Sequence, residues 1–167
     1  MSHAHPEHHS KDKQHVRVAV ITVSDTRTRQ DDDSGDLIAS LTVAAGHTIT
    51  ARSIVRDETP AIRQAVEWLV SEELDVLITT GGTGIAERDV TYEVVRKMMD
   101  KRLDGFGEAF RRLSWDEIGP RSILSRAVAG IVGNTLVFVL PGSLKAVRLA
   151  MEQIVLPVLP HAVALTR

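Results

Sequence analysis

Apolar residues along this chain fall into two alternating patterns: short, nearly continuous runs and longer segments with helical spacing. The run at 16–23, VRVAVITV, is rich in β-branched residues and predicts a central strand that is covered on both faces. Similar runs predict strands at 47–55 and 76–80. Between the strands, apolar residues recur every three or four positions, as in helices that pack one face on a sheet. The pattern predicts an α/β fold.

Capping residues mark where the helices begin. We expect Ser34 to N-cap a helix over 35–45, with the acidic run before it acting as favourable charge at the helix start. Thr59 and Pro60 predict the N-cap and first residue of the next helix. The remaining helices are expected at 91–101, after a Gly-Phe-Gly turn at 105–107, and from Ser143 to a kink or end near Pro157 and Pro160.

The last two apolar runs predict a hairpin. Residues 125–132 and 135–140 are rich in β-branched residues, and Gly133-Asn134 between them is a two-residue turn signal. This pair of strands should therefore be antiparallel, whereas strands separated by helices should be parallel. We predict a mostly parallel sheet with one antiparallel hairpin.

Length and composition point to one domain with a polar tail. The chain has 167 residues, enough for a single core without disulfides. Residues 1–15 hold five of the seven histidines and almost no apolar side chains, so we predict a disordered His-rich tail followed by one domain over 16–167. Clustered histidines can bind metal, but a solvated tail is the favoured interpretation.

Charge and cysteine usage exclude several classes of function. With no cysteine, the chain has neither a thiolate nucleophile nor a zinc-thiolate site. The net charge of -2, with both signs mixed, gives no basic stripe for a nucleic acid. The apolar runs are too short for a membrane span and no signal peptide is evident, so we expect a cytoplasmic protein.

The candidate chemistry centres on a glycine loop after the strand at 76–80. The loop reads Gly81-Gly82-Thr83-Gly84. Glycines allow positive φ and let backbone N–H groups close on an anion such as a phosphate. Arg88, Asp89 and Thr91 follow at once, and a helix beginning near Thr91 would add its dipole. This combination suggests a phosphate beside a metal ion, although the glycines alone also fit a plain strand-to-helix turn.

Other strand ends carry similar features. Asp25 and Asp57 each follow a predicted strand, as Asp89 does, and each could instead be a capping or solvated residue. In open α/β sheets, however, ligands bind outside the carboxyl ends of the strands. Pro141-Gly142-Ser143 forms a second loop of this kind before the final helix. Two adjacent anion sites suggest a ligand with more than one phosphate.

Taken together, these motifs resemble those of a known family. In chain order they are Ser24-Asp25, Asp33-Ser34-Gly35, Thr80-Gly81-Gly82-Thr83-Gly84, Arg88-Asp89-x-Thr91, Gly105-Phe106-Gly107-Glu108 and Pro141-Gly142-Ser143. The series is similar to that of the molybdenum cofactor biosynthesis proteins of the molybdopterin-binding, molybdopterin adenylyltransferase family, in particular its bacterial B-type branch. The resemblance extends over 16–159, which is everything except the tail and the last few residues.

The resemblance implies a three-layer α/β/α sandwich that binds molybdopterin, uses ATP with Mg²⁺, and assembles as a homotrimer or as a hexamer built from two trimers. It implies that Asp57 and Asp89 serve catalysis and hold the metal. The substrate-binding residues that we carry over are Ser24, Asp25, Ser34, Gly35, Gly81, Gly82, Thr83, Gly84, Arg88, Thr91, Glu108, Pro141, Gly142 and Ser143.

The function expected from this resemblance is adenylyl transfer from Mg-ATP to the phosphate of molybdopterin. A non-catalytic molybdopterin carrier or scaffold in the same pathway is the alternative. A nucleotide or phosphosugar hydrolase is less favoured, because it needs a base to activate water and no histidine falls in the motif loops.

Overall fold

The structure is a computed structural model that describes residues 15–166. Six strands form one sheet: β1 (Arg17–Val23), β2 (Thr48–Val55), β3 (Val76–Thr80), β4 (Lys101–Arg102), β5 (Val128–Val132) and β6 (Thr135–Leu140). Their spatial order is β2-β1-β3-β6-β5-β4. The first four in that order run parallel, and β5 and β4 complete the sheet with antiparallel pairings. The predicted α/β class, the central position of β1 and the antiparallel hairpin are confirmed.

Helices cover both faces of this sheet. They are α1 (Asp33–Ala44), α2 (Thr59–Ser71), α3 (Thr91–Met98), α4 (Asp104–Ile118), α5 (Leu144–Ala150) and α6 (Leu156–Ala164). A 3₁₀ segment (Gly119–Leu124) follows α4, and a π-helical segment (Met151–Val155) joins α5 to α6. One core layer lies under α1, α4, α5 and α6, and the other under α2 and α3. This is the three-layer α/β/α sandwich that the sequence resemblance implies.

The predicted tail lies almost wholly outside the described residues. Residues 1–14 are not described, so the expected disorder of the segment stays a prediction. His15, its last residue, is described, and its ring contacts the Gly46 carbonyl oxygen at 3.0 Å and the Thr48 hydroxyl at 2.8 Å.

The final helix continues where the sequence predicts a kink or an end. The π-helical segment ends at Val155, two residues before Pro157, and the helix then continues through Pro160 to Ala164. Proline has no N–H to donate and crowds the preceding turn, and a wider π turn is one way to accommodate it. The combined helix Leu144–Ala164 could cross a bilayer by length and composition alone, which the sequence reading did not anticipate. Its stripe of Val147, Met151, Val155, Leu159 and Val163 is buried in the core, as in core helices of soluble proteins.

Two other helix starts differ from the prediction. Thr59 is the first residue of α2 rather than its N-cap, and Glu58 precedes it without a capping side-chain bond. The Gly-Phe-Gly segment is not a turn, because α4 already begins at Asp104. A Cβ on Gly107 would lie 2.8 Å from the Ala127 carbonyl oxygen. Glycine here therefore allows close approach of helix and sheet instead of reversing the chain.

One helix and one strand are also shorter than predicted. The helix expected over 91–101 ends at Met98, because the chain turns there into the short edge strand β4. The strand expected over 125–132 begins only at Val128, because the preceding residues form the 3₁₀ segment and a short irregular link.

Asp32, and not Ser34, caps α1. Its buried carboxylate accepts the Gly35 N–H at 3.0 Å and the Thr22 hydroxyl at 3.0 Å. The Arg52 guanidinium pairs with it at 3.0 Å and with Asp36 at 2.6 Å. The acidic run therefore includes a buried anchor that joins α1 to β1 and β2.

Asp32→Ala should destabilise the fold. The change removes the cap and, among residues 15–166, leaves Arg52 paired with Asp36 alone, so the free energy of unfolding should fall by about 2–4 kcal/mol. Urea denaturation of both proteins measures the difference. The control is Asp33→Ala, whose exposed side chain forms a 3.7 Å ion pair with Arg27 and whose loss should cost less than about 1 kcal/mol. Equal losses in the two variants would contradict the anchoring role of Asp32.

Candidate functional site

The parallel strands place their carboxyl ends along one edge of the sheet. The segments that follow β2, β1, β3 and β6 therefore lie side by side. They contribute, in that order, Asp57, Ser24-Asp25, the glycine loop 81–84 and the segment 141–143. Hydrogen bonds among these segments, described next, build one continuous site from four parts of the chain.

Glycine is required at two positions of the loop after β3. Gly81 has φ 97° and Gly82 has φ 63°, both in the left-handed region that favours glycine. A Cβ on Gly82 would lie 2.1 Å from the Thr91 hydroxyl oxygen and 2.7 Å from the Asp57 Oδ2 atom. The backbone of Gly82 therefore packs directly against two predicted site residues. The Gly82 carbonyl also accepts the Thr91 N–H at 3.0 Å, which joins the loop to the start of α3.

The Thr91 hydroxyl is a polar group that is buried away from solvent. The residue is 0% exposed, and its Oγ1 atom has no hydrogen-bond partner among residues 15–166. A buried hydroxyl without a partner costs free energy, about 1–3 kcal/mol by the usual scale. Such a group beside a glycine loop and a carboxylate fits a site that a polar ligand completes.

Two carboxylates flank the loop. Asp57 Oδ1 accepts the Val90 N–H at 3.2 Å, and Asp89 Oδ2 accepts the Ala86 N–H at 3.1 Å. Burial raises the pKa of Asp57; its hydrogen bond from Val90 opposes this, while the negative charges of Asp89 and Glu93 raise the pKa further. The two predicted metal ligands are thus close enough to repel each other.

A divalent cation would relieve that repulsion. Magnesium is commonly held by one or two carboxylates together with substrate phosphates, so the pair formed by Asp57 and Asp89 fits it. In the part of the chain that the structure describes, there is no group of three or more His, Asp or Glu side chains arranged to hold a metal without such phosphates. Asp57 and Asp89 could therefore contribute two ligands to a magnesium ion whose other ligands are phosphate oxygens and water.

Ser24, Asp25 and Arg88 bind other parts of the protein. The Ser24 hydroxyl accepts the N–H groups of Thr26 and Arg27 at 3.2 and 3.1 Å, which shapes the turn after β1. Asp25 Oδ1 accepts the Asp57 N–H at 3.1 Å, and its other oxygen pairs with the Arg88 guanidinium. These three predicted substrate-binding residues join the loops after β1, β2 and β3 to one another.

The segment 141–143 closes the site on the other side. A Cβ on Gly142 would lie 3.3 Å from the Gly81 Cα, so the two glycine segments are in close contact. The Ser34 hydroxyl donates to the Gly142 carbonyl at 2.7 Å, and the Thr80 hydroxyl donates to the Pro141 carbonyl at 3.0 Å. Ser143 caps α5 as predicted, accepting the Ala146 N–H at 3.4 Å.

Two adjoining cavities lie beside this contact. The smaller one, about 140 Å³, is lined in part by Ser24, Asp32, Thr80 and Gly81. The larger one, about 390 Å³, is lined in part by Asp33, Ile118, Ser143, Leu144 and Lys145. Arg27, Ser34 and Gly142 line both. Together they offer space for an organic ligand next to Gly81, and their walls carry charges of both signs. Gly82, Asp57 and Asp89 line neither cavity.

A third cavity adjoins the second of these through Glu117, Lys145 and Leu149. It has a volume of about 660 Å³, lies between α4 and α5, and is lined by Lys145 and Arg148 along with Asp116, Glu117 and Glu152. Neither glycine segment contributes to it. We therefore assign the site to the cavities at the strand ends.

Glu108 is not brought to this site by any contact in the described chain. It is exposed in the first half of α4, and within residues 15–166 its carboxylate has no hydrogen-bond or ion-pair partner. The part of α4 that lines the cavity of about 390 Å³ is Ser114 to Ile118, six to ten residues further along the helix. At 1.5 Å per residue, this is about 9–15 Å from Glu108.

Sequence reasoning missed the basic residues that hold the loops. Arg52 anchors Asp32, and Arg126 reaches the backbone of the glycine loop, donating from Nε to the Thr83 carbonyl at 3.0 Å. Neither arginine lies in a glycine loop or at the end of a parallel strand, so spacing gave no signal for them. The pairing of Arg52 with Asp32 can be predicted only once the fold is known, because it is the fold that places β2 beside the start of α1.

Comparison with known proteins identifies the family and the fold. Residues 19–161 match the family model described as a probable molybdopterin binding domain. Molybdenum cofactor biosynthesis protein B of Bacillus subtilis is 48% identical over 159 residues, which are 94% of this chain and 94% of that protein. A crystal structure of Molybdenum cofactor biosynthesis protein B aligns with TM-score 0.89 and 47% identity, over 91% of this chain and 96% of that chain. The tungsten cofactor synthesizing protein MoaB of Pyrococcus furiosus aligns with TM-score 0.85 and 36% identity, over 92% and 98% of the two chains.

Asp57→Asn should stabilise the protein at neutral pH. Because the pKa of Asp57 is raised in the folded state, its stabilising contribution is complete below about pH 4 and is lost as pH rises through the folded pKa. The variant avoids this loss and can still accept the Val90 N–H. Urea denaturation between pH 3.5 and 8 should show an advantage for the variant that grows with pH. An advantage that is largest at pH 3.5, or a wild type more stable at pH 8, would contradict the assigned cause.

Proposed function

The chain belongs to the molybdopterin-binding domain family of molybdenum cofactor biosynthesis proteins, and from this premise we propose that it transfers an adenylyl group from ATP to the phosphate of molybdopterin. The observation that supports this most is the meeting of Gly82, Asp57 and the unpartnered Thr91 hydroxyl in one place. Such a site combines backbone contacts for phosphate with carboxylates for its counter-ion. The reaction joins two phosphorylated substrates and so requires both.

The chemical step needs little from a protein base. An oxygen of the molybdopterin phosphate forms a bond to the α-phosphorus of ATP, while the bond from that phosphorus to the oxygen leading to the β-phosphate breaks. The electron pair leaves with pyrophosphate. A phosphate monoester is largely ionised at neutral pH, since its second pKa is about 6. The barrier therefore lies in bringing two anions together, and positioning with charge neutralisation should supply most of the acceleration.

Each part of the site has a role in that task. Asp57 and Asp89 would hold Mg²⁺, which supplies positive charge to the triphosphate when it is bound. The glycine loop, beside the N-terminus of α3, would supply backbone N–H groups to one phosphate group. The segment 141–143 and the start of α5 would do the same for a second. Arg27 and Lys145 would add positive charge at the wall of the cavity.

We also propose that the protein works in the cytoplasm as a homotrimer or as a hexamer of two trimers. An apolar surface on the second half of α4 and the 3₁₀ segment supports self-association. Its exposed residues are Trp115, Ile118, Ile123 and Leu124, between 49% and 68% exposed. Adjacent exposed apolar residues of this size are typical of a contact surface.

A non-catalytic molybdopterin carrier is the second candidate. It is favoured by one observation: within residues 15–166 no group of three or more His, Asp or Glu side chains could hold a metal ion, and a carrier needs no metal. The two functions differ in their use of nucleotide. An adenylyltransferase binds ATP in a Mg²⁺-dependent manner, whereas a carrier binds molybdopterin without it.

Asp89→Asn should separate these functions. Asparagine can still accept the Ala86 N–H, so the loop is retained while the negative charge is lost. We expect formation of adenylated molybdopterin, measured by chromatography along with pyrophosphate release, to fall at least about 100-fold. Binding of molybdopterin should change less than about threefold.

The control is Glu87→Ala, which removes an exposed charge two residues away and should leave turnover within about twofold of the wild type. Turnover of the Asp89→Asn variant at the wild-type rate would reject the role of Asp89. A wild type that binds molybdopterin but neither binds Mg-ATP nor forms the adenylate would reject the transferase and favour the carrier.

A further inference from the structure

Arg126 lies outside every motif discussed above, in the link between the 3₁₀ segment and β5. Its side chain is 24% exposed and extends to the backbone of the loop after β3. The guanidinium donates from Nε to the Thr83 carbonyl at 3.0 Å and from Nη2 to the Asp89 carbonyl at 2.9 Å. The same Nη2 also donates to the Gly84 carbonyl. One side chain thus binds three carbonyl groups of the loop 83–89.

These contacts determine where the N–H groups of the loop point. In a trans peptide unit, the C=O of one residue and the N–H of the next residue point in opposite directions. Because the Thr83 and Gly84 carbonyls face Arg126, the N–H groups of Gly84 and Ile85 face away from it. Neither N–H has a hydrogen-bond partner among residues 15–166. Arg126 therefore leaves two adjacent donors free on the face of the loop opposite to its own charge.

The third peptide unit connects Arg126 to an acid of the site. Its C=O belongs to Asp89 and accepts from Arg126, while its N–H belongs to Val90 and donates to Asp57 Oδ1 at 3.2 Å. The orientation of the Asp57 carboxylate therefore depends on a peptide unit that Arg126 holds from the other side. No direct contact between the two side chains is needed.

Two further contacts fix the guanidinium itself. Nη1 forms an ion pair with Glu93, and the Cζ atom lies 5.1 Å from the centre of the Tyr92 ring. A planar guanidinium can satisfy carbonyls, a carboxylate and an aromatic face at the same time, because its N–H groups point in fixed directions. A lysine ammonium at this position could keep the ion pair with Glu93, but it could not reproduce the three carbonyl contacts.

We propose that Arg126 is a positioning residue that orients the backbone N–H groups of Gly84 and Ile85 toward a phosphate of the substrate and holds Asp57 beside it. The simpler alternative is a surface ion pair between Arg126 and Glu93 that contributes only to stability. The proposal rests on the proposed function for the identity of the bound phosphate. It does not rest on it for the order of the loop, which can be measured without substrate.

Arg126→Lys is the decisive variant, since it keeps the charge and loses the carbonyl contacts. Hydrogen–deuterium exchange of the ligand-free protein should be at least about tenfold faster at Ala86, Asp89, Val90 and Thr91, whose N–H groups are hydrogen-bonded in the loop. Amides in β1 should exchange as in the wild type. Calorimetry should show Mg-ATP binding weakened at least about tenfold, and kcat for adenylation should fall about 100-fold.

Arg96→Ala is the matched control. Arg96 also lies over the Tyr92 ring, at 6.0 Å, but within residues 15–166 it makes no side-chain hydrogen bond to the loop. Its removal should leave exchange, Mg-ATP affinity and kcat within about twofold of the wild type. Arg126→Gln provides a second test variant, which should reproduce the losses of Arg126→Lys because it too lacks the three contacts.

The outcomes for the two proposals are distinct. Exchange and Mg-ATP affinity in Arg126→Lys equal to those of the wild type would overturn the positioning role, whether or not the wild type is an adenylyltransferase. A wild type without adenylation activity would reject the proposed function, while faster loop exchange in Arg126→Lys, with Arg96→Ala unchanged, would still support the role of Arg126. Unchanged loop exchange in both variants, with stability retained in Arg126→Lys and lost in Arg126→Gln, would favour the simple ion pair with Glu93.

Discussion

The parallel alignment of β2, β1, β3 and β6 is the constraint on which the site depends. It places four chain reversals at one edge of the sheet, so residues far apart in sequence, such as Asp57 and Gly142, contribute to one surface. The pairing of β3 with β6 also brings Gly81 to within van der Waals distance of Gly142. A Cβ on Gly142 would lie 3.3 Å from the Gly81 Cα, so a larger residue there would require the loops to shift apart slightly. The fold therefore places the loops side by side, and the glycines allow their backbones to come into contact.

Two polar groups at the same edge are poorly satisfied in the ligand-free fold. The Thr91 hydroxyl is buried without a partner within residues 15–166, and the Asp57 carboxylate is held near two other negative charges. Neither arrangement favours the folded state of the ligand-free protein. Buried polar atoms without a partner also occur away from this edge, for example in His47 and Ser122. What distinguishes Thr91 is that its hydroxyl lies beside the glycine loop and Asp57.

The sequence predicted the sheet, the hairpin and the loops at the strand ends, because β-branched runs, glycines and strand-end acids carry those signals locally. It failed where the outcome depends on a partner that is distant in sequence. Ser34 and Asp32 are both good caps, and only the buried Arg52 decides that Asp32 takes the role while Ser34 binds Gly142. The sequence likewise predicts a turn at Gly107, whereas in the structure this glycine allows the Ala127 carbonyl to pack closely against α4. Arg126 gave no local signal because its partners are backbone carbonyls, which every sequence has.

The most direct test of the account is a crystal structure of the protein with Mn²⁺ and the non-hydrolysable analogue α,β-methylene-ATP, in which anomalous scattering locates the ion. The account predicts an ion bound by Asp57 or Asp89 and a phosphate within hydrogen-bond distance of the Gly84 or Ile85 N–H. Ion and phosphates bound in the hollow between α4 and α5, with the glycine loop free of ligand, would contradict it.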